Sequence, residues 1–148
     1  MDETIAKFKT PESCEQFALN VEQHSPERAL EARRRAIELR AAAHGAATAA
    51  EREALEAVYA YERVLAKKRG RNLKASRTWQ MIERRGIIAA VERVVTARDD
   101  AAGYKLLVEM GMADKAFEAV VLRHPEAFSS EAFIASRERL GRLNAKTP

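Results

Sequence analysis

Two tripeptides, Thr10-Pro11-Glu12 and Ser25-Pro26-Glu27, carry the same instruction. Each offers a hydroxyl residue to cap a helix, a proline where its missing N–H costs nothing, and an acid to meet the helix dipole. Thr48-Ala49-Ala50-Glu51 adds a capping box, and Ser129-Ser130-Glu131 marks one more start. Nowhere do two alternating apolar runs flank a hairpin turn signal. A chain punctuated in this way is left with helices as its building material. Composition agrees: 29 of 148 residues are alanine, against 6 glycines and 4 prolines. Alanine loses least on entering a helix, and glycine and proline lose most. Aromatic residues make up only 6%, so the core is expected to be built from Ala, Leu, Ile and Val.

The helices can be placed from caps and apolar spacing. Residues 1–10 read as a short polar arm, followed by a helix to about His24 carrying Phe17, Leu19 and Val21. The next runs from about Pro26 to His44, with Leu30, Ile37 and Ala41 on one stripe and Gly45 as its C-cap. A third extends from the capping box to about Lys68. Two long helices joined by a short turn are expected to form an antiparallel hairpin over about 26–68. Gly70-Arg71-Asn72 breaks the pattern, and shorter helices follow. One covers about 74–85. Ile87, Ile88, Val91, Val94 and Val95 form the stripe of a second. A third is capped by Asp99-Asp100, a fourth spans 113–123, and the last begins at Ser129. The tail from Asn144 reads as loose. The expected fold is all-α, a compact bundle of about seven or eight helices. It forms a single domain over 1–148, with a soft boundary near 70–72.

Several classes find no support. The single cysteine, Cys14, can form no internal disulfide and no Cys-x-x-Cys site, which favours a reducing compartment. The acidic start lacks the apolar run of a signal peptide. No run approaches eighteen apolar residues, so no membrane span is expected and the cytoplasm is the expected location. His24, His44 and His124 lie far apart, each near a helix end, where a solvated or dipole-facing imidazole is ordinary. Cys14, beside Phe17, reads as a small packed hydrophobe. Zinc spacings, phosphate loops and nucleophile elbows are all missing. No cofactor, metal or catalytic residue is expected, and nothing points to an enzyme.

Charge placement is the uneven feature. The chain carries +4. Residues 67–85 alone carry +7, from Lys67, Lys68, Arg69, Arg71, Lys74, Arg77, Arg84 and Arg85 against Glu83, which leaves −3 for the rest. At about 100° per residue, Arg77 and Arg84 share one side of their helix, with Gln80 beside them. That side lies opposite Ala75, Thr78, Trp79 and Ile82. Such a face suits phosphates and base edges. The expected function is therefore a nucleic-acid-binding accessory or regulatory factor. It would bind DNA or RNA through those eight cations and Gln80, with an acidic protein surface as the competing partner. The alternative is an interaction or oligomerisation module with no nucleic-acid role, packing against a partner helix or its own copy through Ala29, Ala32, Ala36 and Ala43 of the hairpin. Arg33-Arg34-Arg35 fan around a helix turn and are expected to pair locally with Glu27, Glu31 and Glu38.

Overall fold

The computed structural model describes residues 2–97 and 100–146. Helix is their only regular secondary structure, with no strand among them. None of their helices is long and apolar enough to cross a membrane. By its own contacts the chain divides after Gly45, and residues 70–72 lie inside the second unit.

The first unit, Met1–Gly45, contains α1 (Glu3–Ala6), α2 (Pro11–Val21) and α3 (Pro26–His44). The expected polar arm holds α1, a single turn whose amides at Thr4 and Ile5 are capped by the Asp2 carboxylate. One turn shows no periodicity, so the sequence pattern does not betray it. Its Ile5 is fully buried with Ala18, Ala29 and Ala32, and Phe17 and Val21 pack against them. Thr10 caps α2 by accepting from the Ser13 amide at 3.2 Å. Ser25 stands at the matching place before α3 but makes no such bond, so that helix start rests on Pro26. Leu19, expected on the apolar face of α2, is 61% exposed.

Arg33 and Arg35 do not pair along α3. Arg33 reaches Glu22, and Arg35 donates to the Phe8 carbonyl at 2.8 Å and the Ala6 carbonyl at 3.3 Å. These arginines tie the N-terminal segments of the unit to its long helix. Ala29 and Ala32, expected to face a partner, are already packed inside the unit, whereas Ala43 is exposed.

The second unit, Ala46–Pro148, is organised around α4 (Ala49–Arg69). The two helices of the expected hairpin thus belong to different units. The capping box forms with a one-residue offset: Thr48 accepts from the Glu51 amide at 3.1 Å, while Glu51 accepts from the Ala47 amide at 3.0 Å. Gly70 ends α4 in the left-handed region at φ 71°, a conformation costly for any residue with a Cβ. Then come α5 (Ser76–Arg85) and α6 (Ile87–Thr96), joined by Gly86 alone. Gly86 has φ 89° and ψ 166°, a backbone open essentially to glycine, and it resets the chain direction between the two helices. Of the acidic pair expected to cap α7 (Ala101–Glu109), Asp99 lies outside the described residues; Asp100 does cap it, accepting from the Gly103 amide at 2.8 Å.

The helix expected over 113–123 is split. A 3-10 turn (Ala113–Lys115) precedes α8 (Phe117–Arg123), because Ala116 is extended at ψ 146°. The last helix, α9 (Ser130–Lys146), runs through most of the tail that reads as loose. Ala50, Ala54 and Ala57 of α4 meet Val91 and Val95 of α6, Val120 and Val121 of α8, and Ala132 of α9. Small side chains on α4 let the branched residues of three other helices approach its backbone closely.

Candidate functional site

The site grows from α5. Its N-terminal end has no side-chain cap of its own. Glu62 of α4 serves instead, accepting from the Ala75 amide at 2.8 Å and from the Trp79 indole at 2.7 Å. The indole also lies against Tyr59, with ring centroids 5.1 Å apart. Trp79 is therefore an anchor on the apolar side, and the opposite stripe of α5 is left to other work.

That stripe, Arg77, Gln80, Met81 and Arg84, is one wall of a cleft of about 590 Å³ in the second unit. The volume falls in the range of roughly 300–1,000 Å³ typical of small-molecule sites. Arg93 and Val94 of α6 continue the wall. Tyr104 and Leu107 of α7, Phe117 of α8, Leu143 of α9 and Tyr61 of α4 also line it. Most of the lining is apolar.

Two ion pairs are set into the wall. Lys115 is buried to 5% and bonds to Glu56 at 2.7 Å. Arg139 is buried to 6%; it donates to the Val94 carbonyl at 3.1 Å and to Glu118 at 3.3 Å. A buried charge needs both an opposite charge and hydrogen bonds to offset lost hydration, and both cations have them. The Tyr104 hydroxyl donates to Asn144 at 2.7 Å, which holds its ring in place. At the rim, Asp100 pairs with Lys68 at 3.2 Å. The remaining rim cations, Arg77, Arg84 and Arg93, are exposed and make no ion pair among the described residues.

All nine residues singled out in the basic segment are exposed. Lys67, Lys68 and Arg69 close α4, Arg71 and Lys74 lie in the connector, and Arg77, Gln80, Arg84 and Arg85 are on α5. The cleft gathers Arg77, Gln80 and Arg84; the other six are not among its lining residues. Except for Lys68, the eight cations make no ion pair among the described residues.

Sequence reasoning does not single out Arg93, Lys115 or Arg139. A signal existed for two of them. Lys115 is the one cation between Met112 and Val120, a run that is apolar except for it, Asp114 and Glu118. Arg139 shares the buried stripe of α9 with Ala132, Ser136 and Leu143, at i, i+4, i+7 and i+11. A charge on an apolar stripe implies a partner.

The histidines divide. His24 and His44 are exposed, whereas His124 is half-buried and contacts Glu53 at 2.9 Å. Burial works against charge on Glu53, but hydrogen bonds from Arg123 and His124 outweigh it and hold its carboxyl below the usual carboxylate range. Cys14 is fully buried, and burial pushes its thiol up, away from the reactive thiolate. Among the described residues, no group of three or more His, Cys, Asp or Glu side chains is arranged to hold a metal ion. Compared with known proteins, the chain matches no family model, no curated protein and no solved structure.

Proposed function

We propose that the protein binds nucleic acid through residues 67–85, as an accessory or regulatory factor. One observation carries this reading: seven of the eight cations in that segment are exposed and lack an acidic partner among the described residues. A surface cation already paired with a carboxylate has little to gain from a phosphate. An unpaired one gains the release of a condensed counterion from the polyanion. The geometry of α5 favours phosphate contact over groove reading. Its Arg77–Gln80–Arg84 stripe borders a concavity, and a helix entering a major groove needs a projecting face.

The test is fluorescence anisotropy with a labelled 20-base-pair duplex and a single-stranded RNA, at 50 and 200 mM salt. Seven cations limit the slope of log K against log salt to no steeper than about −6 for duplex. Reversing two of them (Arg77→Glu with Arg84→Glu) is expected to weaken binding by more than about tenfold, while Lys105→Glu on α7 changes it far less. Absence of binding at 50 mM salt, or an unchanged affinity in the double reversal, overturns the proposal. Capture of an acidic protein in place of either nucleic acid would transfer the segment to that partner.

A further inference from the structure

The cleft beside α5 has a composition that the basic segment alone does not explain. Its interior is apolar and aromatic: Met81 and Leu107 line it, and the rings of Tyr61 and Phe117 stand 6.2 Å apart. The charges deep in it are already matched, Lys115 by Glu56 and Arg139 by Glu118. At its mouth Asp100 is matched by Lys68, but the arginines are not. Arg77, Arg84 and Arg93 come from two helices, line the same opening, and have no acidic partner among the described residues.

We infer that the cleft is a binding site for a small amphipathic organic anion, one with an apolar or aromatic body and a single carboxylate, sulfonate or phosphate head. The body displaces water from the apolar walls. The head lies at the mouth, where guanidinium groups give forked, charge-assisted hydrogen bonds to planar or tetrahedral oxyanions. A cationic ligand is disfavoured by the three arginines. A neutral one leaves them unused. Because the two deep pairs are internally satisfied, the anion is read only at the rim. The cleft therefore selects for charge there and for apolar bulk inside.

The experiment uses two dyes that differ only in the head, with no nucleic acid present, so its outcome is separate from that of the segment's phosphate binding. One is 8-anilinonaphthalene-1-sulfonate. The other is N-phenyl-1-naphthylamine, the same rings without the sulfonate. Both are titrated into the full chain by fluorescence. Saturable one-to-one binding is expected, with the sulfonate about tenfold tighter than the neutral dye. Replacing the three mouth cations together (Arg77→Ala, Arg84→Ala and Arg93→Ala) should erase that preference and leave neutral-dye affinity within about twofold. Ala97→Glu is the second variant. It sits exposed at the rim, away from the core, and places a carboxylate among the same arginines. It should weaken the sulfonate dye selectively. Far-UV circular dichroism checks that each variant is folded. Equal affinity for the two dyes, no saturable binding, or a sulfonate preference that survives both variants overturns the inference.

Discussion

Replacing Lys115 by methionine removes one charge from a pair that the second unit buries almost completely. The stem volume is kept and the ammonium is lost, so Glu56 is left facing apolar walls with its side chain 14% exposed. At 2.7 Å and an effective dielectric of about 20, the lost attraction is about 6 kcal/mol. Not all of it appears as instability, because the surroundings relax and water reaches a stranded carboxylate. Single removals from buried pairs typically cost about 3–5 kcal/mol, and the bordering cleft admits water, which places this one near about 3 kcal/mol. Urea unfolding followed by Trp79 fluorescence reads the second unit directly, since Trp79 is the only tryptophan and belongs to that unit. The double variant, Lys115→Met with Glu56→Met, should recover most of the loss, because two apolar side chains can replace a buried pair without stranding a charge. A single variant that loses under about 1 kcal/mol, or a double variant whose loss equals both singles added, refutes the reasoning.

Two further outcomes follow from groups in the same unit. The Glu53 carboxyl is held below its ordinary range in the folded state, so its contribution is fully present above the ordinary carboxylate value and is lost as pH falls through the depressed one. The urea midpoint is expected to drop as pH goes below about 4.3, with Glu53→Gln flattening that dependence; parallel pH profiles for the two proteins would remove Glu53 as the cause. Ser136 is fully buried, and its hydroxyl has no hydrogen-bond partner among the described residues. Ser136→Ala is expected to stabilise by about 1 kcal/mol in the same assay, and a loss of stability would mean that the hydroxyl is satisfied after all.

The helices were legible where the chain states their starts. Thr10, Thr48, Ser129 and Asp100 each accept from an amide of the helix they open. Legibility ended where tertiary contacts decide. The break at Ala116 carries no glycine or proline, and it follows a lysine drawn to Glu56, 59 residues earlier in the chain. Arg35 has Glu31 and Glu38 one turn away on its own helix, yet it donates to the backbone carbonyls of Phe8 and Ala6, and Arg33 reaches Glu22 of the preceding segment. The polar face of α5 was readable from 100° spacing, and its exposure agrees with that reading. What a helical wheel cannot state is the shape of the space in front of a face. Whether the stripe meets open solvent or the walls of a cleft depends on α7, α8 and α9, which arrive later in the chain.

The close contact of α4 with its neighbours depends on Ala50, Ala54 and Ala57, whose side chains end at the first carbon. Truncation, the usual route by which substitution harms a protein interior, has almost nothing to remove at these positions. Enlargement is the hazard, because an added methyl crowds the branched side chains already packed against these alanines. Sequence drift along this helix is thereby one-sided: its inward face is closed to bulkier residues, and change is channelled to the outward face and to the rims of the second unit.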